Sequence, residues 1–125
     1  MLLKDFYTTQ SITKKDDTNF EIIIFVNQNH DIFKGHFPGN PIMPGVCMMQ
    51  IIKELTEQIT KSTLILKTLT NVKFMALINP FVTPELRLEL EIALTEDHLV
   101  KVKNTTYFNE TVALKLSGVY KKTEA

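Results

Sequence analysis

A histidine and a glycine nine residues apart, His36 and Gly45, frame the part of this 125-residue chain where chemistry is most readily written. The segment Gly35 to Gly45 reads Gly-His-Phe-Pro-Gly-Asn-Pro-Ile-Met-Pro-Gly and holds three of the four glycines and three of the five prolines. Fixed proline φ angles and permissive glycines exclude a helix or strand interior and leave few conformations to lose, so His36 is expected on a stiff loop. An imidazole titrates near neutral pH, which makes His36 a candidate general base. From Val46 to Ile59 the chain lacks Gly and Pro and is rich in Met, Ile, Leu, Glu and Lys, which predicts a helix that begins beside Gly45. The first N–H groups of a helix have no partner inside it, so Gly45 is a candidate donor to an oxyanion. Glycine is also an ordinary helix-entry residue, and both readings stand at this level.

The helix carries the other candidates. At about 100° per residue, Met48, Met49, Ile51, Ile52, Leu55 and Ile59 share one broad face, opposite a polar stripe of Gln50, Lys53, Glu54, Glu57 and Gln58. Gln50 and Glu54 are four apart and therefore neighbours on that stripe, either as functional groups or as part of a solvated face. Phe37 and Met43 read as core or tunnel lining, and Pro38, Pro41 and Pro44 as turn formers. Cys47 sits among apolar residues with no metal ligand spaced around it, which predicts a buried thiol. His30 and His98 adjoin Asp31 and Asp97 in turns, read as solvent-facing, and belong to no ligand set at metal spacing.

The elements that must hold this loop and helix are strands. Phe6 to Ile12 and Phe20 to Val26 flank polar turn material and read as a hairpin. After the helix come Ile65 to Ile78, Leu86 to Leu94, Leu99 to Phe108 and Thr111 to Tyr120. They are separated by Asn79-Pro80, Thr83-Pro84, Glu96-Asp97 and Asn109-Glu110. Alternation in Leu86-Arg87-Leu88-Glu89-Leu90-Glu91-Ile92 puts the aliphatic residues on one face and the charges on the other. Lys121 to Ala125 reads as a frayed end. One helix covers an antiparallel sheet of about six strands only if the sheet curls around it, so the expected class is an α+β wrap with a largely buried helix.

Bulk properties narrow the partners. The length suits one domain, residues 1–125. With 14 basic and 14 acidic residues there is no overall field to attract nucleic acid or an anionic bilayer. The single cysteine excludes an internal disulfide, the start Met-Leu-Leu-Lys-Asp has no apolar secretion core, and the longest run of β-branched aliphatic and aromatic residues, Ile22 to Val26, is far too short to span a bilayer. A cytoplasmic protein without a membrane span is expected.

Residues Gly35 to Val46 resemble the signature of the β-hydroxyacyl-acyl carrier protein dehydratases of the hotdog fold. Asn71-Val72-Lys73-Phe74 through Ile78-Asn79-Pro80 is similar to the Lys-Phe strand of that family, with Phe81 where its glycine is expected. The resemblance implies a curled sheet around one central helix, a dimer with an identical or a different hotdog chain, and an acyl tunnel at the subunit interface. It also implies a substrate carried on the phosphopantetheine of acyl carrier protein, with no other cofactor and no metal. The family histidine takes the C2 proton of the thioester, a role that falls on His36. The family glycine gives its N–H to the thioester carbonyl, a role that falls on Gly45, with Val46, Phe37 and Met43 as further substrate contacts. The family acid, which protonates the leaving hydroxyl and comes from the other subunit, stands fourteen residues after the histidine, where this chain has Gln50. Its usual glutamine one turn on is here Glu54, so amide and carboxylate are exchanged, and Glu54 is the candidate to supply or share the acid function. The implied reaction is loss of water from a β-hydroxyacyl thioester to give the trans-2-enoyl thioester, in fatty acid or polyketide-type synthesis. Two alternatives accompany it: a catalytically weakened acyl-binding subunit of a hotdog heterodimer, motivated by Gln50, and a hotdog thioesterase in which a carboxylate activates water.

Overall fold

Strand periodicity builds the sheet, and its apolar face dictates where the helix goes. The computed structural model describes residues 5–35 and 42–123. Its elements in order are β1 (Tyr7–Lys14), β2 (Asn19–Val26), α1 (Ile32–Gly35), α2 (Gly45–Thr60), β3 (Leu64–Phe74), β4 (Glu85–Leu94), β5 (Leu99–Phe108) and β6 (Thr111–Lys122). The strands form one antiparallel sheet in the order β1-β2-β4-β5-β6-β3, so β1 and β3 are its edges. In β4 the residues Leu86, Leu88, Leu90 and Ile92 are buried while Arg87, Glu89 and Glu91 face outward, as the alternation requires. Arg87 lies over the Tyr107 ring at 4.0 Å on that outer face and pairs with Glu89 at 3.0 Å.

The sheet wraps α2. Cys47, Met48, Ile51, Ile52, Leu55 and Thr56 are buried on the helix and join Ile22, Ile24, Leu86, Leu88, Leu90 and Leu114 in the core. Each fully buried Ile or Leu is worth roughly 1.5–3 kcal/mol in apolar burial. Thr56, the polar member of that helical face, returns its hydroxyl to the Ile52 carbonyl at 2.7 Å, which removes the penalty of an unpaired buried group. The helix stops where Lys61 adopts a left-handed conformation, φ 53°, and its N–H bonds the Glu57 carbonyl.

Turn chemistry sets the hairpins. Asp16 Oδ1 accepts from the N–H groups of Thr18 and Asn19 at 2.9 and 2.8 Å and closes the β1–β2 turn. Asn109, at φ 54°, makes the tight β5–β6 connection.

Four expectations need correction. The strand expected over Ile65 to Ile78 ends at Phe74, because Met75 and Ala76 both send their N–H groups to the Ala113 carbonyl and leave the regular ladder. Lys121 and Lys122 are paired rather than frayed: they sit opposite Ile65 and Leu64, and Thr123 N–H bonds the Thr63 carbonyl at 2.9 Å. Backbone pairing is indifferent to the charged side chains that made this end look like a tail. A short helix, α1, was not expected; Phe33 is its buried residue and stacks on Phe6 at 5.5 Å. His30, read as solvent-facing, is half-buried: its Nδ1 accepts from Ile32 N–H at 3.1 Å and its ring meets Phe6 edge-on at 5.1 Å. His98 does face solvent, in a positive-φ turn.

Candidate functional site

The start of α2 is open by construction. Pro44 is its N-cap, at φ −65° and ψ 139°, and has no side-chain oxygen to offer the helix; no acidic residue stands in the first turn. Cys47 and Met48 N–H groups bond the Pro44 carbonyl at 3.1 and 3.3 Å, so the helix ladder takes up its donors from Cys47 onward and leaves those of Gly45 and Val46 ahead of it. The helix dipole puts partial positive charge at the same place.

What lies against that end is apolar. A Cβ added to Gly45 would stand 2.7 Å from Cζ and 3.1 Å from Cε1 of Phe74, so the phenyl ring rests directly on the first turn. Such an approach requires glycine. Met43 N–H bonds the Ile78 carbonyl at 2.9 Å, which ties the segment before the helix to the segment after β3. Between them is a cavity of about 500 Å³ lined by Ile42, Met43, Pro44, Gly45, Met48, Phe74, Met75, Ala76, Leu77, Ile78, Ala113 and Leu114. This size is in the range of small-molecule sites, and an aliphatic and thioether lining suits a hydrocarbon chain whose polar end reaches the helix start.

The polar stripe holds a second arrangement. Gln50 Nε2 donates to Glu54 Oε2 at 3.0 Å, and the Tyr7 hydroxyl donates to Glu54 Oε1 at 2.9 Å. Burial pushes the Tyr7 phenol pKa well above its usual value, and the hydrogen bond and charge of Glu54 add to that shift. By helix geometry Gln50 lies about 200° around from Met48, so the polar trio and the cavity wall occupy different sides of α2.

The sequence candidates are distributed as follows. Met43 and Gly45 both line the cavity. Val46 turns its side chain outward, with 66% exposure, so only its backbone addresses the helix start. Gln50 and Glu54 are joined to each other and to Tyr7. His36 and Phe37 lie outside the described residues. Cys47 is buried and free, and burial raises its thiol pKa, which disfavours the nucleophilic thiolate. Among the described residues no group of His, Cys, Asp and Glu is arranged to hold a metal ion, and no helix is long and apolar enough to cross a membrane. Tyr7 was missed at the sequence level: it is one aromatic residue in a strand, and nothing local says that its hydroxyl meets a helix 47 residues away.

Comparison with known proteins agrees with this geometry. The chain is 30% identical over 95 residues to the 3-hydroxyacyl-[acyl-carrier-protein] dehydratase FabZ of Lactobacillus helveticus, an alignment covering 70% of this chain and 63% of the relative. It is 34% identical over 95 residues to the FabZ of Clostridium acetobutylicum, covering 70% of this chain and 61% of that one. The chain thus spans less than two thirds of the length of these relatives. A solved structure, the dehydratase heterocomplex ApeI:P from Xenorhabdus doucetiae, superposes with a TM-score of 0.65 at 20% identity, covering 94% of this chain and 97% of that chain, and shows the hotdog fold. The sequence pattern of the ApeI-like family, described as ApeI dehydratase, matches residues 11–114. An open glycine-led helix start beside an apolar cavity, on this fold and with that match, places the chain in the ApeI-like dehydratase family.

Proposed function

We propose that this chain removes water from a β-hydroxyacyl thioester carried on the phosphopantetheine of acyl carrier protein and releases the trans-2-enoyl thioester. The observation that carries the reading is the juxtaposition of the Gly45 helix start with the apolar cavity, nine residues after His36. The acyl chain enters between Met43, Met48 and Phe74. The thioester carbonyl accepts from Gly45 N–H, with Val46 N–H next to it and the helix dipole behind both, which stabilises the negative charge that builds on oxygen as C2 loses its proton.

His36 takes that C2 proton, the C2–C3 double bond forms, and the C3–O bond breaks. The departing oxygen needs one proton to leave as water. An amide hydrogen-bonds a hydroxyl but does not supply a proton, and losing a general acid costs roughly 100- to 10,000-fold. Gln50, reaching the site from the other subunit of the dimer, therefore holds the hydroxyl, and the proton returns from the imidazolium of His36 or comes from a carboxyl group. Glu54, bonded to Tyr7 and Gln50, supports a role in holding Gln50 more directly than a role as the donor.

The working unit is a dimer of hotdog chains, identical or different, in a reducing cytoplasm. The edge strand β3 exposes Ile65, Leu66, Leu69 and Phe74, the cavity adds Met75 and Leu77, and Phe81 and Val82 are exposed after it, a strand edge and apolar surface of the kind that a second chain covers. A second reading, a weakened subunit that needs an acid from a different hotdog partner, is favoured by Gln50 and by the heterocomplex named for the superposed ApeI:P structure.

The test is to incubate the purified chain with a β-hydroxyacyl-acyl carrier protein and follow the acyl group by mass. Enoyl thioester from the chain alone supports the first reading. No turnover alone, with turnover restored by a second hotdog chain, supports the second; turnover gained by Gln50→Glu locates the defect at that position. Release of free acid in place of enoyl thioester overturns both in favour of a thioesterase.

A further inference from the structure

We propose that Tyr7 is a positioning residue for the dehydration step, fixing Glu54 so that Glu54 in turn fixes the side-chain amide of Gln50; this rests on the dehydratase reading above. A glutamine on a helix surface has several rotatable bonds, and holding it in one geometry costs side-chain entropy. Bonding it to a second long, flexible side chain four residues on moves that problem to Glu54 and does not remove it. Tyr7 removes it, because it belongs to a different element. Its backbone is paired with Val26 in the sheet, its ring is packed against the core, and its hydroxyl reaches Glu54 Oε1 at 2.9 Å.

The two bonds divide the carboxylate. Oε1 accepts from Tyr7 and Oε2 accepts from Gln50 Nε2 at 3.0 Å. An ionised carboxylate accepts from both donors at once, and such charge-assisted bonds are the stronger kind. An amide that gives its N–H to a carboxylate turns its carbonyl oxygen the other way, so the clamp decides which face of the Gln50 amide is presented away from Glu54. The exchange of amide and carboxylate along this stripe then acquires a function: the carboxylate orients and the amide holds the substrate hydroxyl. The tyrosine ties that carboxylate to the sheet, at Oε1. None of these three side chains lines the acyl cavity of its own chain, so the clamp leaves chain binding alone and meets the substrate hydroxyl of the other subunit in the proposed dimer.

Tyr7→Phe tests this, since it keeps the ring packing and deletes only the hydroxyl. We expect kcat to fall about 10-fold with KM changed less than about twofold, a loss confined to the reacting geometry. Glu54→Gln shows a similar loss, and adding Tyr7→Phe to Glu54→Gln brings no further loss, because the tyrosine acts only through the carboxylate. Glu54→Asp, which keeps the charge but shortens the reach, behaves like Tyr7→Phe. The Gln50 side-chain amide resonance in a ¹⁵N spectrum shifts in Tyr7→Phe and its protons exchange faster. Unchanged kcat in Tyr7→Phe, losses that multiply in the double variant, or an unmoved Gln50 resonance would each overturn the assignment. A wild-type chain without turnover would sink the dehydratase reading and the catalytic consequence drawn from it. The Gln50 resonance would still report separately whether Tyr7 holds the amide.

Discussion

Replacing Gly45 by alanine should separate catalysis from stability. The added Cβ would lie 2.7 Å from Phe74 Cζ and 3.1 Å from Cε1. Carbon atoms prefer about 3.5–4.0 Å, so the ring must retreat by roughly 1 Å. It has somewhere to go: Phe74 ends the edge strand and is 58% exposed, so its displacement opens no hole in the core. Gly45 has helical backbone geometry, and alanine is the better helix former by up to about 1 kcal/mol, a gain that offsets the lost ring contact. The melting temperature is therefore expected within a few degrees of wild type. Turnover is not protected in this way. The ring lines the acyl cavity beside the helix start, so its retreat shifts the bound thioester by a similar distance, and a misplacement of about 1 Å costs on the order of 100-fold, the expected fall in the rate of enoyl thioester formation followed by absorbance. The fault is assigned to the displaced ring, so Gly45→Ala combined with Phe74→Ala should match Phe74→Ala alone. Turnover within threefold of wild type in Gly45→Ala would refute the reasoning, and so would a large drop in melting temperature. A further 100-fold loss on top of Phe74→Ala would place the fault in the methyl group itself.

Other perturbations reach different parts of the account. For the proposed dimer, Leu66→Lys with Leu69→Lys on the exposed edge strand should halve the mass measured by analytical ultracentrifugation without lowering secondary structure; a mass of one chain before substitution, or a mass unchanged by it, would contradict pairing through this edge. Asn104, buried, donates to the Glu89 carbonyl at 3.2 Å and accepts from the Thr106 hydroxyl at 2.9 Å, so Asn104→Ala should cost about 1–3 kcal/mol in urea denaturation, whereas a neutral result would mean that water replaces the amide. Burial, with the nearby Glu57 charge, pushes the Tyr120 phenol from 10.0 up to about 12. The unfolded chain then loses its phenolic proton first, so stability present below pH 10 falls by about 1.4 kcal/mol per pH unit as pH rises toward 12. In Tyr120→Phe that part of the alkaline slope should disappear from chemical denaturation curves; an unaltered slope would contradict it.

The sequence disclosed most where a residue type has one local use. Leu99 to Phe108 was bounded correctly because acidic and Asn-Glu breaks flank it, and the Gly-Pro loop announced a helix start at Gly45. It misled where composition and backbone pairing part company. Met75 to Ile78 is as apolar as the strand before it, yet its hydrogen bonds go to Ala113 and to Met43, and that departure helps form the cavity. Lys121 and Lys122 look like a tail, yet their backbones are paired. The Gln50–Glu54 pair was visible as an i, i+4 spacing, but the partner that anchors it was not. Which strand a helix face meets is decided by how the whole sheet curls, so Tyr7 emerges only in three dimensions. The His36 and Phe37 assignments lie on residues outside those described and rest on the motif.

The central claim, dehydration by a histidine acting beside the Gly45 helix start, is tested most directly by His36→Ala in the same β-hydroxyacyl-acyl carrier protein assay, with the active chain or active pair of chains as the reference. The account predicts a fall in enoyl thioester formation of 100-fold or more, on the order of what a lost general base costs, in a protein whose melting temperature is unchanged. Undiminished enoyl formation in His36→Ala would contradict it.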